Sequence, residues 1–490
     1  MAVTTVESDL LRRQAYVDGK WVDADSGETF PVANPATGEV LAEVPRMGAA
    51  ETARAIAAAK RALPEWKHRT AKERARPLRR LADLMIEHDE ELARLMVLEQ
   101  GKPLAEARVE VAYAASFYEW FGEEAKRVYG ETVPSPWPDK RILVTKEAVG
   151  VTAGITPWNF PAAMPARKSA PALAAGCTMV LKPAEQTPLS ALAVAALAHE
   201  AGVPAGVLSV VTGAADDAPA IGLEMTSNPA VRKLGFTGSN EVGKLLMAQC
   251  APGLKKISLE LGGNAPFIVF DDADLDEAVA GALLCKYRNS GQTCISANRI
   301  LVQEGIYDDF LSAFTEAVRG LKVADGLTPE VDVGPLIDGP AVQKVERHVA
   351  DAVDRGAELV LGGERIDGQF FQPSVLVDVT GDMAMSCEET FGPVAGIARF
   401  SGEEDAVRIA NDTPYGLAAY FYSQGLARVT RVAEALEYGI LGINTGLIST
   451  EVAPFGGVKE SGMGREGSSH GIDEWLELKY WAVGGMGKPL

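Results

Sequence analysis

From residue 146 onward, short runs rich in β-branched residues alternate with longer Ala-rich stretches. That alternation limits the fold more than any other feature of the chain. The runs "VGVTAGI", "CTMVLKP", "VLSVVTG", "KLGFTG", "KISLEL" and "PFIVF" are strand-length, and segments such as "LSALAVAALAHEAG" lie between them. Strand–helix alternation means βαβ units and a parallel sheet. A second series runs from "RILVQ" at 299 through "PVAGIARF" and "AAYFYS" to "GILGIN" at 439–444. At 490 residues the chain is too long for one core. Two α/β domains are expected, with a boundary near residue 260.

Residues 49–128 read as helices. "AAETARAIAAAKRAL" is expected to stop before Pro64. "TAKERARPLRRLADLMIEHDEELARLMVLEQ" ends at Gly101 and carries a proline in its first half that can split it. "PLAEARVEVAYAASFYEWFGEEAKRVYG" opens on Pro103, suited to a first helical turn, and closes on Gly130. The three prolines of "PSPWPDK", 134–140, disfavour helix and suggest an extended connector or an edge ribbon.

The formal net charge of −20 opposes binding to nucleic acid or an anionic membrane, where positive charge supplies most of the attraction. A small anionic substrate stays open, because a pocket can be locally basic. The N-terminal "MAVTTVESDLLRRQ" has no apolar signal core. The most apolar runs fall short of the roughly 18 residues that a membrane span needs. The five cysteines (177, 250, 285, 294 and 387) form no CxxC pair. Free thiols in a reducing cytoplasm follow. The five histidines are scattered without paired spacing, so no metal centre is expected and no Cys–His dyad can be read.

Several short segments carry candidate chemistry. "RKLGFTGSNEVGKLL", 232–246, is a strand, a turn and a helix start. Gly238 permits close backbone approach, Ser239 or Asn240 can cap the helix, and amides at a helix start bind phosphate. An ordinary βα turn would look the same. "MVLKPAEQTP", 179–188, ends a strand at Lys182 and Glu185. These can reach ribose hydroxyls at the carboxyl edge of a parallel sheet, or form a surface ion pair. "ISLELGGNAP" places Glu260 in an apolar strand before two glycines. Burial there would raise its pKa toward the range of a general base. "GITPWNFP" sets Asn159 in a turn held by Pro157 and Pro161, a neutral donor for an oxyanion or a purely structural turn. In "GQTCIS", Cys294 is either a small buried hydrophobe or a nucleophile.

Taken in order, "PWNFP", "KPAEQTP", "FTGSNEVG", "LELGGNAP", "GQTCIS", "EETFGPV" and "PFGGVKESGMGREG" resemble the aldehyde dehydrogenase superfamily across nearly the whole chain. The resemblance implies two parallel-sheet α/β domains plus a small oligomerisation ribbon. Residues 1–130 and 150–259 would bind NAD, 260–465 would form the catalytic domain, and 131–149 and 466–490 would join subunits. It implies Cys294 as nucleophile, Asn159 with the Cys294 N–H as oxyanion donors, Glu260 as the base that activates water, and Lys168 near the catalytic end. The cofactor would be held by Trp158, Lys182, Pro183, Ala184, Glu185, Gly238, Ser239, Leu261, Glu389 and Phe391. Glu185 favours NAD, with NADP left open.

The resemblance extends to the substrate. In the family's succinate-semialdehyde dehydrogenases, two arginines and a serine grip the substrate's distal carboxylate. Arg167, Arg288 and Ser449 match them here. A small anionic aldehyde, succinate or glutarate semialdehyde, is therefore expected, in a homodimer or homotetramer. Some relatives carry a second cysteine two residues past the nucleophile. Ser296 stands there in this chain, so a local disulfide is not available. A CoA-acylating enzyme or a non-enzymatic scaffold is a weaker reading, because Glu260, Asn159 and Cys294 are all intact.

Overall fold

The computed structural model describes residues 9–487; the start of the N-terminal stretch and the last residues of the expected C-terminal segment lie outside them. Two large sheets dominate. The first has eight strands in the order Lys20–Val22, Ala15–Val17, Leu208–Val210, Thr178–Lys182, Val151–Ile155, Val231–Thr237, Lys256–Glu260 and Gly462–Met463. Its five central strands are parallel. Each reads as an almost unbroken apolar run because helices cover both faces. Every residue of Thr178–Lys182 is buried, and only the last of Val151–Ile155 is not.

The second sheet has seven strands: Glu358–Leu361, Ser374–Val377, Val394–Phe400, Ala297–Gln303, Ala265–Val269, Ala418–Tyr422 and Ile440–Ile443. All its pairings are parallel except the outermost, Glu358–Leu361 with Ser374–Val377. The chain passes from one sheet to the other between Glu260 and Ala265. Gly462–Met463 returns across that divide and pairs antiparallel with Leu259 and Glu260. A third, three-stranded sheet joins Glu131–Val133, Arg141–Ala148 and Leu476–Val483. The proline-rich 134–140 is the loop between the first two of these strands.

Three helix boundaries differ from expectation, one of them in Leu104–Glu124, which gives way to a 3-10 turn at Ala125–Arg127 before Gly130. The helix Ala49–His68 runs through Pro64 instead of stopping before it. An interior proline costs about 3 kcal/mol. Here the turn beyond it is anchored by buried Trp66, whose Nε1 donates to the Leu173 carbonyl at 3.1 Å. Pro77 likewise sits inside the helix Ala71–Glu87, which starts from a Thr70–Glu73 capping box. The break in that long segment comes at His88, whose φ of −110° and ψ of 24° lie outside helical values.

Candidate active site

In sequence order the five parallel strands of the first sheet are arranged 3-2-1-4-5. Val151–Ile155 and Val231–Thr237 are neighbours whose onward connections leave in opposite directions. A crevice opens at the carboxyl ends of such a pair, and nucleotides bind there. The loop after the first strand carries Trp158 and Asn159, and the turn after the second carries Gly238 and Ser239. Glu260 ends the next strand. The chain then enters the second sheet at its amino edge, where Cys294 precedes Ala297–Gln303 and Glu389 precedes Val394–Phe400.

A cavity of about 740 Å³ is lined from both sides. Trp158, Asn159, Arg167, Gly238, Ser239, Glu260 and Leu261 contribute from the first half of the chain up to the crossing, and Arg288, Cys294, Glu389, Phe391 and Ser449 from beyond it. Two glycines let the halves meet. A Cβ on Gly263 would come within 2.5 Å of the Cys294 carbonyl, and one on Gly262 within 3.1 Å of Glu389 Oε2.

Cys294 is half-buried at the cavity wall. Burial pushes its thiol up to about 12; Glu389 and Glu260 add to the shift, while Arg167 and Arg288 oppose it. Glu260 is only 3% exposed, and among the described residues neither of its oxygens has a hydrogen-bond partner. Burial, reinforced by Glu466, holds its carboxyl well above the usual range, against the pull of Arg167 and Lys168. A buried carboxyl without partners is costly to keep, which favours a working group over a structural one. Asn159 donates through Nδ2 to the Gln292 carbonyl at 3.1 Å, and its Oδ1 has no partner among the described residues.

The two arginines differ. Arg167 Nε lies 2.7 Å from Glu466 Oε2, and its guanidinium stacks over Phe455. Lys168 Nζ lies 2.7 Å from the other oxygen, Glu466 Oε1, and donates to Thr237 Oγ1 at 2.5 Å. Lys168 is thus buried outside the cavity lining. Burial alone would raise the Glu466 carboxyl, but these two cations outweigh it and hold it below the usual value. Arg288, in contrast, has no ion-pair partner among the described residues and faces the ring of Phe160 at 5.7 Å. Glu466 was not singled out in the sequence, although it lies inside "PFGGVKESGMGREG".

The groups that would meet a dinucleotide fit one. Ser239 caps the helix Asn240–Cys250, accepting from Val242 N, so the start of an 11-residue helix opens at the crevice. Glu389 accepts from Gly263 N at 3.1 Å through Oε1, which leaves Oε2 to meet a hydroxyl, with no hydrogen bond to it among the described residues. Burial raises its carboxyl to about 7. Trp158 and Phe391 meet edge to face at 5.5 Å, two apolar surfaces for a ring. Lys182 and Glu185 sit 3.5 Å apart beyond the cavity, at the end of Thr178–Lys182, with Pro183 and Ala184 between them. Lys182 is nearly enclosed, which removes the reading of a simple surface pair.

This fold and cleft define a dinucleotide-dependent oxidoreductase. The chain belongs to the aldehyde dehydrogenase family, whose model matches residues 21–481, and whose members oxidise aldehydes with NAD(P). It is 63% identical over 482 residues to the glutarate-semialdehyde dehydrogenase of Pseudomonas aeruginosa, covering 98% of this chain and 99% of that protein. It is 62% identical over 480 residues to the NADP(+) succinate-semialdehyde dehydrogenase GabD of Escherichia coli, with the same coverage. A crystal structure of succinate-semialdehyde dehydrogenase from Burkholderia pseudomallei superposes with a TM-score of 0.96 at 61% identity, covering 98% of this chain and 100% of that one.

Proposed function

We propose that this enzyme oxidises a semialdehyde acid to the corresponding diacid through a thioester on Cys294, with succinate semialdehyde as its principal substrate. The observation that carries the substrate reading is Arg288, a guanidinium on the cavity wall six residues before the nucleophile, without an ion-pair partner among the described residues. An arginine makes forked, charge-assisted hydrogen bonds to a carboxylate. Ser449 adds a hydroxyl from the far side of the chain, and Arg167, which shares Glu466 with Lys168 and whose buried Nη2 has no hydrogen-bond partner among the described residues, adds a second cation to the cavity wall.

The Cys294 thiol gives up its proton to solvent, and its Sγ attacks the aldehyde carbon to form a thiohemiacetal. The Asn159 side-chain amide and the Cys294 N–H stabilise its oxyanion. When bound, the nicotinamide supplies the hydride acceptor. Loss of hydride leaves the acyl group on sulfur as a thioester. Glu260 then takes a proton from water, which attacks the thioester and releases the acid. Lys182, Glu185, Ser239, Glu389, Phe391 and Trp158 would hold the cofactor along the crevice. The same reading gives residues 1–130 and 150–259 to the cofactor, 260–465 to catalysis, and 131–149 with 466–490 to subunit contact in a homodimer or homotetramer. Leu478, Tyr480 and Trp481, exposed on the three-stranded sheet, support that last assignment.

Replacing Arg288 by alanine is expected to lower kcat/KM for succinate semialdehyde by roughly tenfold or more, the value of a charge-assisted bond of about 1.5–3 kcal/mol. A short neutral aldehyde should be spared. Equal losses on both would remove the anion-binding role. Glutarate semialdehyde is the second substrate reading, supported by the 63% identical relative that bears its name. One added methylene changes binding by only about 1–3 kcal/mol, so the same guanidinium can serve both acids.

Glu185 sets the cofactor preference. Its carboxylate accepts from ribose hydroxyls and repels a 2′-phosphate. At about 4 Å the repulsion is roughly 1 kcal/mol in water and ~4 kcal/mol at an effective dielectric near 20. NAD is therefore preferred over NADP. Glu185→Ser should raise the NADP/NAD ratio of kcat/KM by about fivefold or more. An unchanged ratio assigns the preference elsewhere.

A further inference from the structure

Asn159 is held from behind by a residue that the proposed chemistry does not use. The Asn159 carbonyl accepts from Asn289 Nδ2 at 3.1 Å and from Lys102 Nζ at 2.8 Å. The Gln292 carbonyl accepts from Asn159 Nδ2 at 3.1 Å and from Asn289 Nδ2 at 3.2 Å. Asn159, Gln292 and Asn289 thus close a ring of hydrogen bonds. The ring ties the loop after Val151–Ile155 to the turn that leads into Cys294. Asn289 is wholly buried, and both of its side-chain polar atoms are engaged. Its Oδ1 accepts from Gln100 Nε2 at 2.9 Å, and its own N–H donates to Glu106 Oε2 at 2.8 Å. Its φ of +52° is left-handed, a conformation that asparagine tolerates better than most residues. Lys102 is pinned in turn by an ion pair to buried Glu110, which accepts from Ala162 N and Ala163 N.

We propose that Asn289 is a positioning residue of the oxidation: its amide sets the register between the oxyanion donor Asn159 and the sulfur of Cys294. An oxyanion donor works only within about 2.7–3.1 Å of the developing charge. Asn289 fixes the Asn159 main chain and shares with its side chain the carbonyl two residues before the nucleophile. The inference rests on the reading of Asn159 as oxyanion donor.

The test uses Asn289→Gly, which keeps the left-handed backbone free of strain and removes both amide donations. Oxidation of succinate semialdehyde with NAD is compared with alkylation of Cys294 by iodoacetamide in the NAD-free enzyme, which needs an accessible sulfur but no oxyanion donor. The expected result is a kcat/KM lower by about tenfold to a hundredfold, the scale of a small misplacement, with alkylation within about twofold of the parent. In an Asn159→Ala background the same change should cost nothing further, because Asn289 acts through Asn159. Three results would overturn the proposal: unchanged oxidation, alkylation and oxidation slowed alike, or losses that multiply in the double variant. An Asn159→Ala enzyme of full activity would instead remove the oxyanion reading itself, and this inference with it. If Asn289→Gly does not fold, Asn289→Asp, of the same shape but without the donating amide, is read by the same split.

Discussion

Cys294→Ala lowers kcat/KM for aldehyde oxidation by roughly 10⁴-fold or more, about 5.5 kcal/mol of lost transition-state stabilisation. No other thiol can take over. Cys177, Cys250 and Cys285 are buried, Cys387 is exposed, and none of the four lines the cavity. The loss should fall on the reaction and not on the fold, because the side chain is small and only half-buried at a cavity wall. Cofactor binding, followed by calorimetry, should survive. The resting enzyme holds this thiol at about 12, so only a small fraction is thiolate at neutral pH. Each unit of pH upward raises that fraction about tenfold. The parent's kcat/KM should therefore climb as pH rises from neutral toward 9. A profile that falls across this interval contradicts a thiolate nucleophile raised by burial.

Glu260→Gln slows release of the acid by about 10²–10⁴-fold, the usual contribution of a positioned general base. The amide keeps the shape of the carboxyl and removes the proton acceptor. Its site offers no substitute: Glu466 is committed to Lys168 and Arg167, and the described histidines do not line the cavity. Formation of the thioester is spared, so NADH should appear as a burst of about one equivalent per active site, followed by slow turnover. A uniform slowing without a burst would place the base at an earlier step, the deprotonation of Cys294. The raised pKa of Glu260 sets the sign of its own pH effect. The acid form predominates at low pH, so turnover in the parent should be lost on acidification.

Local pattern made the frame legible. Most strands of the two parallel series stood out as short apolar runs, though Ser374–Val377 was not among them, and the chain changes sheets between Glu260 and Ala265. Cys294, Glu260, Asn159, Arg167, Arg288 and Ser449, read in separate segments, all line one cavity. Interactions between distant segments stayed hidden. The helix through Pro64 is held by Trp66 against Leu173, 107 residues away. The Lys168–Glu466 contact joins positions 298 residues apart, and no periodicity reports such a meeting. For the same reason the sequence presented Arg167 and Arg288 as equivalents. Only the fold shows that the first lies against Glu466, which it shares with Lys168, and that the second has no ion-pair partner among the described residues. The return of Gly462–Met463 to the first sheet escaped notice because a two-residue strand has no pattern to read.

The central claim is that the substrate's carbonyl carbon becomes bonded to the sulfur of Cys294. The most direct measurement is to mix the Glu260→Gln enzyme with NAD and succinate semialdehyde, quench with acid during the NADH burst, and map the modified peptide by mass spectrometry. The account predicts a succinyl group on the peptide containing Cys294, in an amount matching the burst. NADH formed with that peptide unmodified, or with the acyl group on another residue, would contradict it.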